Sequence, residues 1–150
     1  MSSRHDARLW AVQFLFQRDF NAGDLKAALR AFWEWRKADP RARTYAEELI
    51  QGVTEHRKDL DDRLQKYAEN WDLNRMGAVD RNVMRVALYE MLHRLDVPPV
   101  VSINEAIDIA KAYSGMEPGR FGNGILDRAC RELTRSPRVG VPANAKPQEE

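Results

Sequence analysis

The stretch PPVVSINEAIDIAKAYSGMEPGRFGNGILDRA, which runs from Pro98 to Ala129, predicts two short helices joined by a turn. Ser102 followed by Glu105 has the spacing of a capping box, which places the start of the first helix at Ser102. Gly115 marks its end, and Pro118 suits the first turn of the second helix, where a missing backbone N–H is tolerated. The apolar residues of both helices recur at helical spacing: Ile103, Ala106, Ile107, Ala110 and Tyr113, then Phe121, Ile125, Leu126, Ala129 and Leu133.

The rest of the chain predicts helices too, because no segment shows the alternating pattern of a strand. Four helices are predicted before Pro98, at about residues 3–20, 24–39, 41–69 and 79–94. Asp24 is the expected N-cap of the second helix, and Gly52 is a weak point in the third. The fourth is apolar nearly all round, which is typical of a central, buried helix.

These six helices predict an all-α fold of two packed three-helix sub-bundles, residues 1–70 and 71–135, since short connections favour antiparallel neighbours. Residues 136–150 contain three prolines and little to bury, which predicts a disordered tail. Six aromatic residues are expected in the core rather than on bases: Trp10, Phe14, Phe32, Trp33, Trp35 and Trp71.

Charge, cysteine count and apolar content limit the kinds of partner and cellular location that we expect for this protein. A net charge of +1 on 150 residues gives no global field that would attract nucleic acid or a membrane, so any such site must be local. The cations are 18 Arg and 6 Lys. This excess of arginine has two equally good explanations: a role in pairing with phosphate, which the planar guanidinium suits, or the base composition of the genome. One cysteine, Cys130, allows no internal disulfide, and no apolar run is long enough to span a bilayer, so we expect a cytoplasmic protein.

Catalysis has little support in the sequence. His5, His56 and His93 are far apart along the chain, and none stands at a metal-ligand spacing from another ligand type. The glycine-containing motifs of phosphate cradles and nucleophile turns do not occur in the sequence. We therefore expect no enzyme activity, no cofactor and no bound metal.

Three blocks of the sequence match the motifs of one known family. The first lies in the stretch from Pro98 to Ala129, and its matching residues are Pro98, Val101, Ile103, Asn104, Glu105, Ala106, Ala110, Lys111, Phe121, Asn123, Gly124, Leu126 and Asp127. The second is Asp80, Arg81, Met84, Arg85, Ala87, Leu88, Tyr89 and Glu90, and a weaker third is Arg4, Ala7, Arg8, Ala11, Gln13, Leu15 and Phe16. Together they resemble the NusB family of small helical RNA-binding factors of bacterial transcription antitermination. The resemblance implies a NusB-like helical bundle.

The resemblance also implies a function and two surfaces. Members of the family bind a short single-stranded boxA RNA together with NusE, a small-subunit ribosomal protein, and so act indirectly on the RNA polymerase elongation complex in ribosomal RNA operons. The implied RNA-binding residues are Arg4, Arg8, Phe16, Phe121 and Asn123, and the implied partner residues are Asp80, Arg81 and Met84. Glu117 lies in a turn where the family tunes its RNA affinity.

The residues themselves support part of this assignment. Arg4 and Arg8 are one helical turn apart, which predicts a small exposed basic edge on the first helix. Phe121 falls at the border of a polar, arginine-rich helix face, where an aromatic ring suits unstacked bases. Arg85 and Glu90 stand among apolar residues, so we expect them to be buried and paired.

Two alternatives remain open at this stage. Asp6 stands where relatives have arginine and Val100 where lysine is frequent, which would fit a protein-binding scaffold with weak or lost RNA binding. A related helical domain also precedes the catalytic domain of some ribosomal RNA 5-methylcytosine methyltransferases, although this chain is too short to contain both. The sequence leaves the choice between monomer and homodimer open.

Overall fold

The computed structural model describes residues 3–68, 72–114 and 120–133, and the side chains of 4–68, 72–113 and 124–133. The described part is all helical, which confirms the predicted fold class. Its α-helices are α1 (Ser3–Phe20), α2 (Leu25–Glu34), α3 (Pro40–Glu55), α4 (Arg57–Ala68), α5 (Ala78–His93), α6 (Pro99–Ser114) and α7 (Arg120–Arg131), with a short 3-10 helix at Leu73–Arg75.

Local chemistry sets the ends of the first helices. Gly23 adopts a φ of 130°, a conformation that side chains other than glycine rarely reach, and so allows the turn between α1 and α2. The carboxylate of Asp24 accepts a hydrogen bond of 2.9 Å from the Ala27 N–H, which confirms the predicted N-cap of α2. Asp39 caps α3 in the same way, and Pro40 occupies the first turn.

The predicted third helix is broken at His56. α3 ends at Glu55, His56 has φ −105° and ψ 15°, and α4 then starts at Arg57. The predicted single helix from 41 to 69 is therefore wrong, although the expected weak point at Gly52 lies one turn before the break. The change of direction lets α3 pack on α1 while α4 packs on α5 and α7.

Gly52 is needed for close packing rather than for a turn. A Cβ at this position would overlap the ring of Tyr89 from α5, so only glycine lets the two helices approach this closely. The ring of Tyr89 in turn stacks on His93.

α6 begins one turn earlier than predicted, at Pro99. Ser102 and Glu105 consequently lie inside the helix, and the predicted capping box is wrong. The Ser102 hydroxyl is buried and donates to Glu90 at 2.6 Å, whereas Glu105 accepts from Arg8 at 2.7 Å. Proline at the first position of the helix, with its preset φ, explains the earlier start.

α5 is the central helix of the core, as its apolar pattern predicts. It contacts α1, α3, α4, α6 and α7. Its buried residues include Val83, Val86, Leu88 and Met91, together with the polar Asn82, Arg85 and Glu90. The division into sub-bundles 1–70 and 71–135 stays a prediction, and the predicted tail, 136–150, lies outside the described residues.

Most of the described aromatic side chains pack as expected. Trp33 is buried and lies edge-on to Trp10, with ring centroids 5.6 Å apart, and Phe14 lies edge-on to Phe32 at 5.3 Å. Trp35, however, is 87% exposed at the end of α2, so its assignment to the core is wrong. Trp71 lies outside the described residues. No helix in the described part of the chain is long and apolar enough to cross a membrane.

Candidate functional site

Arg8 is buried between three helices rather than exposed on α1. Its side chain is 5% exposed, and its Nε lies 3.1 and 2.9 Å from the two carboxylate oxygens of Glu90 on α5. Its Nη1 donates to Glu105 on α6 at 2.7 Å. The prediction that Arg8 forms part of an exposed basic edge is therefore wrong, because this side chain is held by the buried carboxylate of Glu90 and the partly buried carboxylate of Glu105.

Glu90 collects donors from three separate helices. Besides Arg8, it accepts hydrogen bonds from the Tyr45 hydroxyl on α3 and the Ser102 hydroxyl on α6. Burial, followed by the Glu90 charge, raises the pKa of Tyr45 and keeps it a hydrogen-bond donor. Burial alone would lower the pKa of Arg8, but the Glu90 carboxylate raises it. We call Arg8, Tyr45, Glu90, Ser102 and Glu105 the Glu90 cluster.

Two basic residues, Arg4 and His5, lie partly exposed in the first turn of α1. Their side chains are each 41% exposed. Arg4 donates to Asp96 at 2.8 Å and lies over the Tyr45 ring at 4.9 Å, and His5 Nδ1 lies 2.6 Å from Glu105. Burial would raise the pKa of Asp96, but hydrogen bonds from Arg94 and Arg4 lower it to about 2. Arg4 is thus oriented by an ionised carboxylate while part of its guanidinium remains accessible.

The second half of α1 presents an aromatic edge. Phe16 is half-buried and meets Phe20 edge-on with ring centroids 5.1 Å apart, and Phe20 is 68% exposed. Sequence reasoning found Phe16 but missed Phe20, although its position one turn later predicts the same face. On α6, Tyr113 is partly exposed. Burial raises its pKa, while a hydrogen bond from Gln13 of α1 lowers it.

Three of the residues assigned by resemblance cannot be placed in full. Phe121 and Asn123 belong to the first turn of α7, but their side chains lie outside the described part of the structure. Glu117 lies outside the described residues altogether. Their assignment to RNA binding stays a prediction.

The implied partner surface begins at the N-terminus of α5. Asp80 is half-buried, and no charged group among the described residues offsets the burial of its carboxylate. Burial raises its pKa. Arg81 donates to the backbone oxygens of Asn74 and Met76, so its guanidinium is fixed in place. Met84 is 4% exposed and lies in the core, so its assignment to the partner surface is wrong.

Arg85 is buried and paired, as expected. It donates to both oxygens of Asp61 on α4, at 2.7 and 3.0 Å, and to Asn82 at 3.0 Å. Asn82 in turn donates to Asp19 on α1 at 2.8 Å. This second polar cluster ties α1, α4 and α5 together, which is a structural role.

Two of the histidines meet although they are far apart in the sequence. The rings of His56, at the α3–α4 break, and His93, at the end of α5, lie 4.5 Å apart. Burial, followed by the charge of His56, lowers the pKa of His93. Among the residues that the structure describes, no group of three or more His, Cys, Asp or Glu side chains could hold a metal ion.

The chain is similar over most of its length to proteins of one family. The NusB family model matches residues 5–131. A transcription antitermination protein NusB from Trichlorobacter lovleyi is 46% identical over 132 residues, which cover 87% of this chain and 93% of that protein. The structure of T. maritima NusB is 38% identical with a TM-score of 0.73, covering 86% of this chain and 91% of that one. A crystal structure of antitermination factors NusB and NusE with dsRNA has a TM-score of 0.76 at 24% identity, over 86% and 96% of the two chains, which shows the fold alone.

Because Arg8 is buried and Arg4 is partly exposed, replacing each with alanine should lower the stability of the protein by different amounts. Arg8→Ala is expected to lower the free energy of unfolding by about 3–5 kcal/mol, because Glu90 would lose its buried ionic partner. The matched variant Arg4→Ala removes a partly exposed ion pair and should cost about 0–1 kcal/mol. Urea denaturation followed by circular dichroism measures both. Equal costs would contradict the assignment of Arg8 to the Glu90 cluster.

Proposed function

This chain belongs to the NusB family, and on that premise we propose that it is an RNA-binding transcription antitermination factor. It binds boxA-type single-stranded RNA together with NusE, and so acts on the RNA polymerase elongation complex in ribosomal RNA operons. The carrying observation is its match to a protein named as a transcription antitermination protein over 93% of that protein's length. The proposal includes a cytoplasmic location and no catalytic activity.

The RNA surface in this proposal combines the N-terminal end of α1, next to the Glu90 cluster, with the aromatic edge of its second half. It contains Arg4 and Phe16 on α1 and Phe121 and Asn123 in the first turn of α7. Arg4 supplies an accessible positive charge for a phosphate, and aromatic rings supply stacking surfaces for unpaired bases. Arg8 acts as a positioning residue, because its guanidinium is committed to Glu90 and Glu105.

The NusE surface in this proposal centres on Asp80. Burial disfavours the ionised form of this carboxylate, and no cation of the described residues compensates for it. A cationic group of the partner protein would do so, and would thereby gain a charge-assisted hydrogen bond. Arg81 flanks this position with a guanidinium held by backbone oxygens.

The burial of Arg8 favours a second candidate function, a protein-binding scaffold with weak or lost RNA binding. With Arg8 withdrawn, the partly exposed basic residues of the first turns are Arg4 and His5, and Asp6 is partly exposed beside them. The two functions differ in whether the protein, alone or with NusE, binds boxA-type RNA. The methyltransferase-related alternative has no comparable support, since the relatives matched over nearly their full length are named antitermination proteins.

The proposed function predicts selective RNA binding that depends on Phe121. Labelled boxA-type RNA should bind more tightly than a scrambled RNA, and more tightly still with the NusE homologue present. Phe121→Ala should weaken that binding by about 1–3 kcal/mol, the usual value of one stacked base. Trp35→Ala, which removes an exposed aromatic ring at the end of α2, is the control and should leave RNA affinity unchanged. Fluorescence anisotropy measures all three proteins. Equal affinity of the wild-type protein for boxA-type and scrambled RNA, with NusE bound, would favour the scaffold.

A second prediction concerns Asp80. Asp80→Asn should reduce NusE affinity at least about tenfold, because the charge that a partner cation neutralises is lost. The free energy of unfolding should change by no more than about 1 kcal/mol, as for other partly exposed charges at a helix N-terminus. Asp108→Asn, at an exposed position of α6, is the matched control. The partner role is refuted if calorimetric titration gives unchanged NusE affinity while thermal denaturation shows a large loss of stability.

A further inference from the structure

A groove between α1 and α2 has no role in the function proposed above. Its volume is about 490 Å³. Its apolar lining comes from alanines of α2 and the rings of Phe14 and Phe32, and two cations also line it, Arg18 from α1 and Arg36 from the end of α2. We call this cavity the α1–α2 groove.

Arg36 is held in a fixed position at this groove. Its Nη1 donates to the Phe32 backbone oxygen at 2.6 Å, and its guanidinium carbon lies 3.6 Å from the centroid of the Phe32 ring. Phe32 is itself buried and packed edge-on against Phe14. The guanidinium therefore rests on an aromatic ring that cannot move freely. Because the Arg36 side chain is already ordered, a ligand that binds it pays little additional conformational entropy.

The electrostatics of the groove favour an anionic ligand. Arg18 and Arg36 contribute two positive charges against the one negative charge of Asp24, whose carboxylate is oriented by its hydrogen bond from the Ala27 N–H at the start of α2. A planar guanidinium stacks on nucleobases and pairs with phosphate. An apolar floor with a stacking group and a nearby second cation suits a nucleotide, which carries a flat base and a phosphate together.

The groove adjoins the proposed RNA surface. Gln17 lines it, next in sequence to Phe16 of the aromatic edge. Gln13, one turn earlier on α1, forms a hydrogen bond with Tyr113 of α6. The charge of Arg36 acts on the same tyrosine and lowers its pKa, against the larger effect of burial. Consecutive residues of a helix point about 100° apart, so the groove and the aromatic edge lie on adjoining sides of α1, and one extended strand could pass from the edge to the groove.

We propose that the α1–α2 groove binds one further nucleotide of the same RNA strand. Its base stacks on Arg36, and its phosphate pairs with Arg18. This inference rests on the proposed function, because it assigns an additional contact to the same RNA. It also places RNA recognition on α2, beyond the residues identified by family resemblance.

The test uses two RNAs, a core boxA-type RNA and the same RNA extended by a few nucleotides at either end, each titrated with and without the NusE homologue. The wild-type protein should bind the extended RNA more tightly by about 5- to 150-fold, the equivalent of one stacked base. Arg36→Ala should remove most of this gain, leaving what phosphate pairing with Arg18 contributes, and should leave affinity for the core RNA unchanged. Arg36→Lys keeps the charge without the planar face and should also lose most of the gain. Arg30→Ala, at an exposed position of α2 outside the groove, is the control.

An extended RNA with an abasic sugar at each added position separates stacking from phosphate pairing. The abasic RNA lacks the base that stacks on Arg36 but keeps the phosphate that pairs with Arg18. It should therefore bind the wild-type protein only slightly more tightly than the core RNA does. If the core RNA binds and Arg36→Ala leaves the gain intact, the inference is wrong and the proposed function stands. If the wild-type protein binds neither RNA, both are wrong. A loss of NusE affinity in Arg36→Ala with unchanged RNA affinity would make the groove a protein-docking site and overturn the inference. Circular dichroism of each variant checks that it is folded.

Discussion

The packing of this protein depends on one fully buried carboxylate, Glu90 of α5. Its side chain is 1% exposed and accepts hydrogen bonds from three other helices: Arg8 of α1, Tyr45 of α3 and Ser102 of α6. A buried charge without such partners costs several kcal/mol, so these helices are stable only in the register that brings all three donors together. The surrounding apolar residues stabilise the bundle, and the Glu90 cluster selects one arrangement of α1, α3, α5 and α6.

This constraint gives neighbouring residues of α1 different roles. Arg8 is committed to the Glu90 cluster, and Asp19 to the cluster of Arg85 and Asn82. Arg4, at the N-terminal end of the helix, stays partly accessible, and Phe16 and Phe20 form the aromatic edge. Arg8 and Arg85 are thus used in folding, which leaves Arg4 as the arginine of the proposed RNA surface. In the proposed function, affinity then depends more on aromatic and guanidinium stacking than on phosphate pairing, and its salt dependence should be modest.

Features that depend on neighbouring residues in the chain could be predicted from the sequence. The helical class, the Asp24 cap, the turn before it and the buried character of α5 all follow from local chemistry and spacing. Features that depend on distant residues could not. Ser102 and Glu105 have the spacing of a cap but bind Glu90 and Arg8, and no proline or glycine at His56 announces the break after α3.

The same limit applies to the candidate site. Helical spacing places Arg4 and Arg8 on one face, but it cannot show that Arg8 pairs with the buried carboxylate of Glu90 while Arg4 pairs with Asp96 nearer the surface. The chain did contain a clue, since Arg8 lies between Ala7 and Ala11 in an apolar pattern, as Arg85 and Glu90 do in theirs. Met84 was assigned to a surface by resemblance alone, and the groove at Arg36 arises only when α1 and α2 pack together.

The most direct test of this account is a map of the RNA on the protein by NMR, from backbone amide shifts during titration with boxA-type RNA. With Arg8 committed to the Glu90 cluster, we expect large shift changes at Arg4, Phe16 and Phe20 and in the first turn of α7, while the amides around Asp61 on α4 stay unchanged. Shift changes centred on α4, or none at saturating RNA with NusE bound, would contradict the claim that the N-terminal end and the aromatic edge of α1 bind RNA.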